Sequence, residues 1–163
     1  MKTAIYPGTF DPITNGHIDI LKKATNVFDR VIVAVANVTG KDTMFTLEER
    51  TNLCKEACVD IPGVDVMDFD GLSVDLAKKV NACAMIRGLR AVSDFEYELA
   101  LALMNKRLKA EIETVFFVPD SEYLYLSSTS IREVAKLGRS VADMVPACVD
   151  FMLRYKNSGG KND

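Results

Sequence analysis

A chain of 163 residues with 48% hydrophobic composition can fill one full-sized core but is short for two, so a single domain is expected. Its formal net charge of -3 and pI near 5.3 argue against a general nucleic-acid or membrane-surface binder, whose affinity needs a basic face, so any phosphate binding must be local. Cysteines at 54, 58, 83 and 148 form no CxxC pair, and no apolar run approaches the about 20 residues of a membrane span. The chain opens on a strand pattern without the charged and apolar regions of a signal peptide, so a cytoplasmic protein with reduced thiols is expected.

Ala4 to Tyr6 can close a short buried strand, with Pro7-Gly8 turning the chain after it. Ile18, Leu21, Ala24, Val27 and Phe28 then recur at helical spacing, which puts His17, the only histidine, in a helix's first turn. The first N–H groups of a helix lack internal partners and carry a partial positive charge, so this junction suits a phosphate; an incidental surface histidine on a plain turn is the other reading. Val31 to Ala36 is apolar at every position, as a central parallel strand covered on both faces would be. After a loop from Asn37 to Phe45, Thr46-Leu-Glu-Glu49 is a capping-box pattern opening a helix to about Val59, with Cys54 and Cys58 as small apolar core residues beside Leu47.

Pro62-Gly63 ends that unit. Val64 to Phe69 reads as a third strand, Ser73 could cap a helix to about Asn81, and Ala84 to Ile86 is a short fourth strand followed at once by Arg87-Gly-Leu-Arg90. Ser93 and Glu96 form a second capping-box pattern before a long helix with an apolar stripe of Phe95, Leu99, Leu103, Met104 and Leu108. Thr114 to Val118 is a fifth strand. Ser127-Ser-Thr-Ser130 could cap a helix from Ile131 to Leu137, which Gly138 would close, and Pro146 sits in the first turn of a last helix to about Tyr155. The domain should therefore span 1–156, with 157–163 a disordered tail.

Five alternations of strand and helix imply an α/β fold: a single doubly wound, Rossmann-like domain with a five-stranded parallel sheet, in which ligands bind beyond the strands' carboxyl ends. Gly8-Thr9, Lys41, Ser73, Arg87 with Arg90, and Ser127 to Thr129 each follow one strand and should share that rim. The chain carries no G-x-x-x-x-G-K-[ST] loop, no G-x-G-x-x-G, no clustered metal ligands and no G-x-S-x-G elbow. Donors and positive charges without an evident nucleophile or base suit phosphoryl-type transfer, where positioning and charge stabilisation dominate. Taken singly the signals stay open: Ser127 also reads as a plain N-cap, Arg87 and Arg90 as surface ion-pair residues, and Lys41 as a solvated loop lysine.

Gly8-Thr-Phe-Asp-Pro12 with Thr14-Asn-Gly-His17, Arg87-Gly-Leu-Arg90 with Phe95-Glu-Tyr-Glu98, and Ser127-Ser-Thr129 through Arg132 together resemble the bacterial phosphopantetheine adenylyltransferases, over nearly the whole chain and in order. Thr14-x-Gly-His17 is similar to the H-x-G-H signature of the nucleotidylyltransferase superfamily, with Thr14 in place of its first histidine. The resemblance implies attack of the phosphate of 4'-phosphopantetheine on the α-phosphorus of Mg-ATP, giving dephospho-coenzyme A and pyrophosphate. It implies His17 as the catalytic donor; ATP contacts from Thr9, Phe10, His17, Gly88, Leu89, Arg90, Glu98 and the run Tyr123, Leu124, Tyr125, Leu126, Ser127, Ser128 and Thr129; and acceptor contacts from Thr9, Lys41, Ser73 and Arg87, the last through its bidentate fork. It further implies a homohexamer, Mg2+ delivered with ATP rather than held in a cage of protein ligands, and no nucleic-acid or membrane partner. Two alternatives remain open: a nucleotidylyltransferase acting on nicotinate mononucleotide or a small polyol phosphate, and a non-catalytic ATP-binding module.

Overall fold

A computed structural model describes residues 1–38, 40 and 42–159, apart from the side chains of Val92 and Ser93. Within these residues strands and helices alternate as β1 Thr3–Gly8, α1 Asn15–Thr25, β2 Arg30–Ala36, α2 Leu47–Cys58, β3 Val64–Phe69, α3 Ser73–Lys79, β4 Ala84–Gly88, α4 Val92–Leu108, β5 Glu113–Phe117, α5 Ser128–Lys136 and α6 Ala147–Asn157. All strand pairs are parallel, in the order β3-β2-β1-β4-β5. The doubly wound expectation holds.

The continuous apolar run of β2 is explained by burial on both faces. Val31, Val33 and Val35 join Ala4, Tyr6, Ala84 and Ile86 against residues of α1, α2, α5 and α6, while Ile32 and Ala34 join Ile5 and Met85 against Val74, Leu76 and Ala77. Successive side chains thus enter two separate cores, as a pleated strand requires. Helix α2 begins on the expected capping box, Glu49 N–H donating to Thr46 Oγ1 at 3.1 Å and Thr46 N–H to Glu49 Oε2 at 2.8 Å. All four cysteines are free, and Cys54 and Cys58 are buried in the core, where burial pushes the Cys58 thiol up to about 11.

Several local expectations need correction. Pro7 and Gly8 do not turn the chain but extend β1, because β2 continues to pair alongside them up to Gly8 opposite Val35. Helix α1 stops at Thr25, so Val27 lies outside it and is 55% exposed. Ser73 is the first residue inside α3, whose N-cap is Leu72 with no side-chain cap, and α4 starts from Ala91 rather than from a cap at Ser93. In both cases the extended residue that admits the chain falls earlier than the serine, and an apolar side chain there cannot accept a hydrogen bond. Helix α5 starts at Ser128, with Ser127 as its N-cap, and α6 ends at Asn157, the first residue of the expected tail; 160–163 lie outside the described residues.

The apolar stripe of α4 does not enter either core. Leu103 is 65% exposed and Met104 57%, with Phe95, Leu99 and Leu108 also exposed, and Phe95 touches the sheet edge-on through Phe116 at 6.2 Å between ring centres.

Candidate active site

Strand order reverses between β1 and β4, so their connections leave in opposite directions and a crevice opens at their carboxyl ends. Registered pairing of β1 with β4 ends at Ile5 and Met85, whereas pairing with β2 persists to Gly8. Pro7 has no N–H to prolong a ladder, and its carbonyl instead accepts from Arg87 Nη1 at 3.3 Å.

Two adjoining cavities occupy this crevice. The first, about 340 Å³, is lined by Thr9, Phe10, His17, Arg87, Gly88, Arg90, Glu98, Tyr123, Leu126, Ser127, Ser128 and Thr129. The second, about 330 Å³, runs past Ser73 between Leu72, Met85, Leu101 and Ala102. Pro7, Gly8, Thr9, Arg87 and Glu98 border both. Of the residues expected at the site, Leu89, Leu124 and Tyr125 line neither: the Leu89 N–H continues the β4–β5 pairing to Phe117 O at 2.9 Å, and Tyr125 is 64% exposed. Lys41 lies outside the described residues.

His17 is the third residue of α1 and completes a capping box with Thr14. The Thr14 N–H donates to His17 Nδ1 at 3.0 Å, so Nδ1 presents a lone pair and the ring proton sits on Nε2. Burial, followed by the positive charges of Arg90 and Arg87, lowers the imidazole to about 4. The ring is therefore a neutral donor at pH 7, and Thr14, which stands where other signatures place a histidine, sets its tautomer. Two of the first α1 amides are already used, Asn15 N–H by Met144 O at 3.0 Å and His17 N–H by Thr14 Oγ1 at 3.4 Å.

Phe10 adopts φ 48°, a left-handed conformation that costs a non-glycine residue of order 1–3 kcal/mol. Its ring folds back against His17 at 5.1 Å and Tyr6 at 5.4 Å between centres, and a β-carbon on Gly8 would come within 3.0 Å of that ring. Glycine at position 8 thus keeps the space that the ring occupies.

Arg87 does not offer its fork to the cavity. Nε and Nη2 grip Glu98 Oε2 and Oε1 at 2.6 and 2.7 Å, a bidentate pair in which Glu98 is 8% exposed. Glu98 is thereby a partner of Arg87 at the seam of both cavities. Arg90 Nη1 donates to Leu126 O at 2.7 Å and ties the turn after β4 to the segment before α5. There Ser127 Oγ caps α5 by accepting from Ser130 N–H at 3.1 Å, and Ser128 Oγ donates to Pro12 O at 2.8 Å. With those two hydroxyls engaged, the amides at the start of α5 and the hydroxyl of Thr129, which accepts from Arg132 Nη2 at 3.3 Å, are the donors this helix can direct at an anion.

Asp11, Thr14 and Arg132 also line the first cavity and were not among the expected contacts. Arg132 Nη1 donates to Asp11 O at 2.6 Å and approaches the Asp11 carboxylate at 3.7 Å. Asp11 and Arg132 sit inside the G-T-F-D-P and S-S-T-x-x-R runs and Thr14 opens T-x-G-H, and those runs were the available signal.

Residues 5–134 match the family model described as cytidylyltransferase-like. A phosphopantetheine adenylyltransferase from Moorella thermoacetica is 53% identical over 153 residues, covering 94% of this chain and 96% of that one. One from Desulforudis audaxviator is 50% identical over 156 residues, 96% of each chain. Among solved structures, a candidate nicotinate-nucleotide adenylyltransferase from Vibrio parahaemolyticus superposes with a TM-score of 0.74 over 99% of this chain and 98% of that one, at 17% identity, a likeness of fold alone. On these matches the chain belongs to the phosphopantetheine adenylyltransferase family of nucleotidyltransferases, within the cytidylyltransferase-like group.

Proposed function

We propose that this chain transfers the adenylyl group of Mg-ATP to 4'-phosphopantetheine, giving dephospho-coenzyme A and pyrophosphate in coenzyme A biosynthesis. The observation that carries the reading is the pair of cavities meeting at Thr9 and Arg87, room for two phosphorylated reactants side by side. The nucleotide takes the first cavity and the thin pantetheine arm the second, past Ser73.

A phosphate oxygen of the acceptor attacks the α-phosphorus, and the bond from that phosphorus to the bridging oxygen breaks, so pyrophosphate leaves. The attacking phosphate is already ionised and no base is needed. His17, neutral and donating through Nε2–H, stabilises charge on the α-phosphate oxygens without passing a proton to them. Thr9 orients the acceptor phosphate beside the backbone of Phe10. Arg87, with Lys41, offsets the repulsion between the two anions, and Glu98 holds Arg87 at the seam. Gly88 and Arg90 face the nucleotide, the starting amides of α5 at Ser128 and Thr129 receive the departing phosphates, and Leu89, Leu124 and Tyr125 serve by carrying the segments of their neighbours.

Mg2+ enters as part of the nucleotide substrate. Among the described residues no group of three or more His, Cys, Asp or Glu side chains gathers as a cage, and of the carboxylates lining the first cavity Asp11 and Glu98 are already bonded and Asp42 is the third, which supports an ion held mainly by phosphates and water. The homohexamer remains what the resemblance implies; the exposed apolar face of α4 supports self-association in which copies cover it, and the free thiols suit the reducing cytoplasm.

Pyrophosphate release from Mg-ATP tests the reading. It is expected with 4'-phosphopantetheine and not with pantetheine, which lacks the attacking phosphate, nor with nicotinate mononucleotide. Release with nicotinate mononucleotide alone would move the chain to a different acceptor, and ATP binding without release on any acceptor would make it a binding module.

A further inference from the structure

Arg50 is 2% exposed, and its partners among the described residues are three backbone carbonyls. Nη1 donates to Thr9 O at 2.6 Å and to Ala36 O at 2.9 Å, and Nε donates to Phe45 O at 3.2 Å. A guanidinium withdrawn from water and held only by neutral oxygens is costly to keep, so what it organises must repay that cost. The three carbonyls belong to three segments: the loop after β1, the end of β2 and the approach to α2. Asp11, 3% exposed, holds the same approach from its other side, its carboxylate accepting from Met44 N–H and Phe45 N–H at 2.9 Å each.

Thr9 is therefore fastened through its carbonyl to Arg50, and two residues later Asp11 is fastened to the Met44–Phe45 segment. Between them sits Phe10 in its left-handed conformation, which persists only if the surroundings over-determine it. A planar fork can serve three acceptors on different segments at once, whereas an ammonium is a single point. We infer that Arg50, acting with Asp11, is a positioning residue for the transfer step: it holds Thr9 at the seam of the two cavities, where the acceptor phosphate must meet the α-phosphorus. The kinetic part of this inference rests on the adenylyl-transfer reading.

The test compares Arg50→Lys with the wild type in steady-state kinetics, in ATP binding without acceptor, and in amide hydrogen exchange. Turnover at saturating substrates is expected to fall by about 10²-fold, the scale for a reacting group displaced by about 1 Å, while ATP affinity stays at the wild-type value. Peptides covering 8–11 and 44–46 are expected to exchange faster, and those covering β4 and α5 to remain unchanged. Wild-type turnover of the folded variant would overturn the inference, leaving Arg50 as a staple of the fold, and so would an exchange pattern with no local change. Where Arg50→Lys does not fold, Asp11→Asn, which weakens the clamp from its other side, is expected to give the same loss of turnover and the same local exchange, and the same contrary results overturn it. A wild type that binds ATP but releases no pyrophosphate would refute the adenylyl-transfer reading, and the exchange pattern alone would then decide the clamp.

Discussion

Replacing His17 with glutamine separates what this residue does for the fold from what it does for the chemistry. Glutamine at the third helical position is itself a capping-box residue, so its Oε1 can accept the Thr14 N–H that Nδ1 accepts at 3.0 Å, and α1 keeps its start. Glutamine keeps amide N–H groups, but on a flexible carboxamide, so the ring's Nε2–H is lost from its fixed place and a mobile donor stands in for it. Titration provides a second, independent signature. The folded imidazole is lowered to about 4, whereas in the unfolded chain it titrates near 6.5. At pH 7 both states hold it neutral and the shift contributes nothing. As pH falls through 6.5 the unfolded chain takes up a proton that the folded chain refuses, so stability drops until about pH 4 and then levels; at about 1.4 kcal/mol per pH unit, that loss totals about 3 kcal/mol. Denaturant unfolding at pH 7 and pH 4.5, with turnover at pH 7, measures all three quantities. The variant should match the wild type at pH 7 within about 0.5 kcal/mol, exceed it by about 2–3 kcal/mol at pH 4.5, and turn over about 10²–10³-fold more slowly, the usual loss for one transition-state donor. Wild-type turnover would refute the need for a donor fixed by the imidazole ring, and parallel acid destabilisation of both proteins would refute the neutral, Thr14-held imidazole.

Arg87→Ala should chiefly weaken 4'-phosphopantetheine and Arg90→Ala chiefly ATP, as read by calorimetry; loss of ATP affinity alone in both would move the acceptor away from the second cavity. Thr46→Ala removes the hydroxyl that accepts from Glu49 N–H at 3.1 Å and should cost about 1 kcal/mol in denaturant unfolding with kinetics unchanged, so altered turnover would contradict a purely local cap. Leu103→Asp, on the exposed face of α4, should leave the fold intact and lower the assembly mass in sedimentation, and an unchanged mass would remove that face from the oligomer contact.

Elements whose local pattern and tertiary setting agree were legible in the sequence. Val31 to Ala36 had to be buried on both faces, and Thr46 with Glu49 could satisfy each other without reference to the rest of the chain. The stripe on α4 obeyed the same periodicity as a core helix, but periodicity reports that a face is apolar and not what covers it. Pro7-Gly8 carried turn chemistry, yet its place beside β2 kept it in the sheet. At the site, each residue type reached the crevice through strand order, since Thr9, Arg87 and Ser128 follow β1, end β4 and follow β5. Pairing within the site was not legible. That Arg87 spends its fork on Glu98, and that Arg50 lies buried on three carbonyls, depends on contacts between residues 5 to 41 positions apart, which neither spacing nor composition encodes.

The central claim is that an oxygen of the acceptor's own phosphate becomes the bridge to the adenylyl group. Incubating the enzyme with Mg-ATP and 4'-phosphopantetheine labelled with ¹⁸O in its phosphate, then weighing both products by mass spectrometry, tests this directly. All of the label should appear in dephospho-coenzyme A and none in pyrophosphate. Label in the released phosphates, or a product lacking the adenylyl mass, would contradict attack by that phosphate on the α-phosphorus.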